Sequence, residues 1–178
     1  MNPIQILIQQ IEAQHLWEKQ ESYARNAYLK VQGSLDTNIY YILSGSVRLF
    51  VLDGMEEHTI RFGYQNDFVA ALGSYISEKS SDLYIQALRQ TEVKVISKVS
   101  FTQLMKSRED TLEFWHSMLE QIILQQLERE RDLLTASPLE RYQRVLGRSP
   151  QLFQEIPHKY IASYLRMTPE TLSRIKKS

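Results

Sequence analysis

The chain of 178 residues contains no cysteine. That absence removes disulfides, thiolate zinc sites, cysteine nucleophiles and cysteine-ligated iron–sulfur clusters together. It also lacks any run of about eighteen apolar residues, the length a transmembrane helix needs. The N-terminal stretch Met1-Asn2-Pro3-Ile4-Gln5 has neither the basic region nor the long apolar core of a secretory signal. The expected location is therefore the cytoplasm, with no membrane partner. Catalytic signatures are missing as well: there is no paired-histidine metal motif, no phosphate-cradling glycine loop and no nucleophile elbow. His58 beside Glu56 and Glu57 supplies one histidine where a metal site built on strands needs several ligands. The expectation is a protein that is not an enzyme and holds no cofactor.

Net charge is absent too, with 21 Lys+Arg against 21 Asp+Glu, but the charges are segregated. From Pro138 to Ser178 there are eight Lys/Arg and three Asp/Glu, a balance of +5, which leaves thirteen against eighteen, or −5, in the rest. A positive C-terminal module on an acidic body can direct phosphate binding to one face. The 43% hydrophobic and 24% charged content is ordinary for a globular protein with a real core. The length allows one large domain or one medium and one small.

In chain order, Ile4, Leu7, Ile8, Ile11 and Leu16 predict a packing helix from Ile4 to about Trp17. From about Ser22 to Lys98 the period becomes that of strands. Tyr23 to Val31, Ile39–Leu43, Val47–Val51, His58–Phe62, Leu83–Ile85 and Val93–Ile96 are short β-branched and aromatic runs. Turn signals at Gly33-Ser34, Ser44-Gly45-Ser46, Asp53-Gly54 and Gln65-Asn66-Asp67 separate them. Such a series predicts an antiparallel barrel or sandwich. A short helix around Phe101, Leu104 and Met105 follows, and then the longest helical pattern, from about Glu109 to Leu134. There Leu112, Trp115, Leu119, Ile122, Gln126 and Leu133 keep a three-four spacing, broadened by Met118, Ile123, Leu124 and Leu127. At 1.5 Å per residue it spans about 39 Å, more than one small β-domain covers. Its breadth implies two partners, its own β-domain and a second copy of the chain. The charged stretch Glu128–Asp132 reads as exposed i to i+4 pairs of little worth. Ser137-Pro138 caps and opens the next helix, expected from Leu139 to Leu146 and ended by Gly147.

The last segment predicts two short helices joined by a tight turn. Tyr160, Ile161, Tyr164 and Leu165 share one face of the first. Thr168 caps the second, Pro169 suits its first position, and Glu170 favours its positive end. Leu172 and Ile175 then point inward and leave an acid, a hydroxyl and a guanidinium outward. Arg166 stands where such a turn often holds glycine, so the turn is either rebuilt or strained.

At Tyr160-Ile-Ala-Ser-Tyr-Leu165 and Thr168-Pro-Glu-Thr-Leu-Ser-Arg174 the sequence resembles the Crp/Fnr family of bacterial transcription regulators. The resemblance extends over nearly the whole chain, through Tyr40-Tyr-Ile-Leu-Ser-Gly45-Ser-Val-Arg-Leu49 and Ile85-Gln-Ala-Leu-Arg-Gln-Thr-Glu-Val93. It implies an α+β fold: an N-terminal antiparallel β-roll of the cyclic-nucleotide-binding type over 1–108, a dimerisation helix over 109–136 and a helix-turn-helix domain over 137–178. With the sequence ending at Ser178, the β-hairpin wing of that domain is expected to be truncated.

The Glu-x-x-Ser-Arg pattern of the Fnr-like branch is matched by Glu170, Ser173 and Arg174, which the resemblance makes base readers. Their chemistry fits, since arginine donates bidentately to guanine and glutamate accepts from cytosine. Lys159, Lys176 and Lys177 are expected on phosphates. The implied partners are double-stranded DNA and a second protomer through residues 109–134. An oxygen-sensing Fnr-type cluster is excluded by the missing cysteines. In nucleotide-binding members a glutamate precedes an arginine by ten residues. Here Ala71 and Ser81 align to those places, beside Asp82, so cyclic AMP binding is not carried over and the pocket takes an unidentified small-molecule effector or none. The resulting expectation is a homodimeric DNA-binding regulator reading a palindromic operator. The alternative is a ligand- or protein-binding β-roll dimer that has lost DNA binding.

Overall fold

The computed structural model describes residues 3–177. After α1 (Pro3–Ala13) come β1 (Lys19–Tyr23), β2 (Tyr28–Lys30), β3 (Ile39–Ser44), β4 (Ser46–Asp53), β5 (Glu56–Tyr64) and β6 (Phe68–Val69). Following α2 (Leu72–Ser77), β7 (Tyr84–Ala87) and β8 (Thr91–Ile96) complete two four-stranded sheets, ordered β1-β8-β3-β6 and β2-β7-β4-β5. The pairs β1–β8, β3–β8, β3–β6 and β2–β7 are antiparallel. Because side chains alternate between faces of a strand, residues two apart enter the same core. Tyr40 and Ile42, Val47 and Leu49, Ile85 and Ala87, and Val93 and Val95 do so from both sheets. The register seats Ile42 opposite Val93 and Tyr40 opposite Val95.

Gly45 sits between β3 and β4 at φ +92, and a Cβ there would lie 2.4 Å from Thr91 Oγ1 and 2.5 Å from the Gln90 carbonyl. Neither the backbone angle nor the space admits a side chain. Gly45→Ala is expected to destabilise the fold by at least about 1–3 kcal/mol, read as a lower urea midpoint with an unchanged slope.

Two helices end elsewhere than the sequence predicts. The first helix ends at Ala13 rather than near Trp17. His15 takes φ 52, and Leu16 N donates to the Ile11 carbonyl at 3.0 Å, a left-handed closure of the helix end. Trp17 thereby leaves the helix and stacks on Tyr41 at 5.9 Å. Further on, α3 (Lys98–Lys106) and α4 (Glu109–Leu134) follow as expected, and α5 (Pro138–Arg148) begins at the Ser137 cap. Yet α5 does not end at Gly147. It runs on to Arg148 and stops where Ser149, at φ −140, precedes Pro150, because the residue before proline is steered out of the helical region. Then come α6 (Pro150–Glu155), α7 (His158–Tyr164) and α8 (Pro169–Ile175).

The chain divides into two compact units. One holds the chain through Leu49 and Phe62–Leu119, and the other holds Phe50–Arg61 and the chain from Glu120 on. Besides the inter-sheet core, the first unit has a second core in which Leu7 and Ile11 of α1 meet Ile39, Ile96, Tyr75, Phe101, Leu104 and Met105. Phe114 and Trp115 of α4 pack against it. In the second unit Val145, Leu152, Ile161, Ala162, Leu165 and Leu172 are buried. Among the described residues no helix is long and apolar enough to cross a membrane.

Candidate nucleic-acid interface

The α7–turn–α8 pair is shaped first by its buried side. Tyr160, Ile161, Ala162 and Leu165 on one helix and Leu172 on the other are buried, so the two axes are held by apolar packing. Thr168 caps α8 as its position predicts: its side chain accepts from Thr171 N at 3.2 Å, with Pro169 in the first turn. The turn is not rebuilt to avoid a side chain. Arg166 adopts φ 54, and Met167 N donates to the Ala162 carbonyl at 3.1 Å.

The strain at Arg166 is held by neighbours the sequence did not suggest. A helix C-terminus leaves its last carbonyls unpaired and carries partial negative charge, so it attracts cations. Two arginines meet this need at the end of α7. Arg129 Nη2 donates to the Tyr164 carbonyl at 2.6 Å while its guanidinium lies 3.8 Å over the Tyr164 ring. Arg141 Nε donates to the Leu165 carbonyl at 2.9 Å, and its Nη2 to that of Arg166 at 3.2 Å. Arg129 is buried, and desolvation pulls its pKa below the usual arginine value.

On another side, the end of the β4–β5 hairpin meets the same helix. Ser163 Oγ donates to the Glu57 carbonyl at 2.9 Å and accepts from Thr59 N at 3.1 Å, and Arg166 Nη1 lies 2.7 Å from His58 Nδ1. His58 thus serves this contact, and no group of three metal-ligating side chains occurs among the described residues.

The charged stretch of α4 also departs from expectation. Rather than exposed i to i+4 pairs, Arg129 and Asp132 are buried. Asp132, with no exposed surface, accepts from Arg144 Nε at 3.1 Å and pairs with Arg148. Its hydrogen bond raises the Arg148 pKa above the usual value. Helical spacing alone could not reveal this, because the partners lie on α5, more than ten residues away.

Glu170, Ser173 and Arg174 stand at i, i+3 and i+4 on α8 and so share one face, opposite Leu172. Glu170 and Arg174 are exposed, and Ser173 is half-buried. The Glu170 carboxyl lies below its ordinary range because its own backbone N–H and the Thr168 hydroxyl bond to it. Arg174 Nη2 lies 3.5 Å from Thr171 Oγ1. Lys176 and Lys177 are exposed just past the helix, and Lys159 is exposed on α7 with its ammonium 4.6 Å from the Tyr160 ring centre. All six expected site residues therefore belong to α7, α8 and the end of α8. The chemistry they present is cationic, with one acid and one hydroxyl.

Along α4, Ile123, Leu124, Leu127 and Leu134 are 57%, 54%, 51% and 78% exposed. In the β-domain, Ala71 and Ser81 are both buried. Ser81 Oγ is taken up by its own turn, accepting from Leu83 N at 3.1 Å. Nearby strands bury two cations that already have partners: Lys30 Nζ is 2.8 Å from Asp36 Oδ2, and Arg48 Nη2 is 2.7 Å from Gln86 Oε1.

The family model described as cyclic nucleotide-binding domain matches residues 20–108, half of the chain. Comparison with curated proteins finds no match by sequence. Solved structures with a similar fold include FixK2 from Bradyrhizobium japonicum, at 17% identity and TM-score 0.74, covering 89% of this chain and 82% of that one. The c-di-GMP-responsive global regulator CLP from Xanthomonas campestris is similar at 17% identity and TM-score 0.71, covering 96% and 90%. A transcriptional regulator of the CRP family from Thermus thermophilus follows at 16% and 0.65, covering 88% and 82%.

Proposed function

The chain belongs to the cyclic nucleotide-binding domain family, and from that premise we propose that it is a homodimeric DNA-binding transcription regulator of the Crp/Fnr type. The observation that carries the reading is α8, a capped helix that buries Leu172 and presents Glu170, Ser173 and Arg174 on one exposed side. An α-helix of this kind fits the major groove, where Arg174 donates to a guanine, Glu170 accepts from a cytosine and Ser173 meets a base or phosphate. Lys159, Lys176 and Lys177 neutralise phosphates. The exposed apolar row of α4 supplies the seam with a second copy. Two such α8 helices would read half-sites about 34 Å apart on a palindrome. The functional division proposed is a sensor domain over 1–108, a dimerisation helix over 109–136 and a DNA-binding domain over 137–178. With Ala71 and Ser81 in place of the charged pair that holds a cyclic nucleotide, cyclic AMP is not the effector.

Selection of operator DNA from a random library by the full-length protein tests this reading. An enriched palindrome is expected. Arg174→Ala should weaken operator binding by about 1–3 kcal/mol and relax one base position. Lys176→Ala should weaken all sequences alike and flatten the salt dependence. Equal weakening of operator and random DNA by Arg174→Ala would remove the base-reading role.

A further inference from the structure

A crevice of about 340 Å³ opens where α2, α3 and the first half of α4 meet, entirely within the first unit and outside the inter-sheet core. Its apolar lining is Met105, Leu112 and the rings of Tyr75 and Trp115, which pack against each other with centroids 6.4 Å apart and planes inclined at 57°. Leu112, 37% exposed, forms part of the rim. The Tyr75 hydroxyl is held 3.3 Å from Thr102 Oγ1, which fixes that ring as one side of the opening.

The ionisable lining side chains are of one kind. Lys98, Lys106 and His116 border the crevice, with no carboxylate among its lining residues. Lys98 is engaged, its ammonium 2.8 Å from Glu78 Oε1 and 5.1 Å from the Tyr75 ring centre. Lys106 and His116 are exposed. An apolar crevice lined by two packed aromatic rings and bordered by cations matches a molecule with an apolar body and an anionic head. Desolvation of the body drives entry, while the head stays at the wet rim, where a charge–charge contact needs no full burial. The volume stands at the lower end for small-ligand sites, suited to a single ring or a medium-length chain.

We propose that this crevice is a binding site for a small amphipathic carboxylate, its apolar part against Met105 and the packed rings of Tyr75 and Trp115 and its carboxylate on Lys106, with His116 beside it. Leu112, Trp115 and His116 lie at i, i+3 and i+4 on α4, so an occupant touches one face of that helix over a full turn. The site is separate from the DNA-reading surface, and it stands whether or not the chain binds DNA.

The chain has two tryptophans, so Trp17→Phe leaves Trp115 as the sole indole reporter. Titrating this protein with phenylbutyrate at neutral pH is expected to change Trp115 emission saturably. Phenylbutanol, the same ring and chain without the charge, should bind about tenfold more weakly. Lys106→Gln, at an exposed position, should also weaken phenylbutyrate about tenfold while its circular dichroism spectrum stays that of the parent. No saturable change, or equal binding of acid and alcohol unaffected by Lys106→Gln, overturns the proposal. So does Trp115 emission that shifts with protein concentration alone and is indifferent to phenylbutyrate, because the crevice is then covered by a second copy of the chain.

Discussion

Replacing Leu124 and Leu127 together by lysine is expected to yield a monomer and to lower affinity for a palindromic operator by about a hundredfold or more. Both leucines are more than half exposed in the single chain, and each contributes about 1.5–3 kcal/mol when fully buried. A symmetric seam counts each of them twice. Four added ammonium groups would also face one another across it, where like charges repel. The effect on DNA follows from linkage: once two reading helices are joined, the second half-site is bound intramolecularly, and avidity exceeds single-site affinity by about 10²–10⁴. Sedimentation gives the oligomeric state, and anisotropy on full and half operators gives the affinities. The half-site affinity should hardly move, because neither leucine is among the residues proposed to contact DNA. A variant that remains dimeric would place the seam elsewhere. A monomer with undiminished operator affinity would show that the two half-sites are not read jointly.

Asp132→Ala is expected to destabilise the second unit by about 3 kcal/mol, the lower end of the range for breaking a buried ion pair. The carboxylate is fully buried and serves two guanidiniums. Its removal leaves Arg144 and Arg148 short of an acceptor, although both are partly exposed and Glu128 Oε2 lies 2.9 Å from Arg144 Nη2. That residual partner is why the lower end applies. Since the charges concerned lie on α4 and α5, hydrogen exchange should speed up in α5 and α7 before it changes in β3 and β8. Asp132→Asn, which keeps the shape and one acceptor, should lose less than the alanine variant. Equal and small losses in both would mean that the arginines find solvent without penalty.

The sequence made the elements legible where local chemistry was strong. The limits of α4, the Ser137 and Thr168 caps and most of the strands follow from periodicity and capping residues that need no distant partner. Where the signal was weak, the chain read differently. The strand Lys19–Tyr23 is polar and lies at a sheet edge, paired only with β8, so its apolar alternation is faint. Gly147 carried a stop signal, but glycine stops a helix only when the backbone turns left-handed, and the turn away comes at Ser149 before Pro150.

By itself the sequence determined the α+β architecture, the run of short strands, the pair of C-terminal helices with the Thr168 cap of the second, and the surface of α8 that carries Glu170, Ser173 and Arg174. Period, capping and turn chemistry are local properties, written within a few residues of where they act. Tertiary structure alone decided that Arg129 and Arg141 close the end of α7, that Asp132 is buried between arginines, and that Ser163 bonds the β4–β5 hairpin. It alone brought Tyr75, Lys106 and Trp115 around one crevice. Those partners are separated along the chain by nine residues, from Lys106 to Trp115, to 106, from Glu57 to Ser163, and nothing in a local pattern fixes which distant charge or hydroxyl meets them until packing has set the distances.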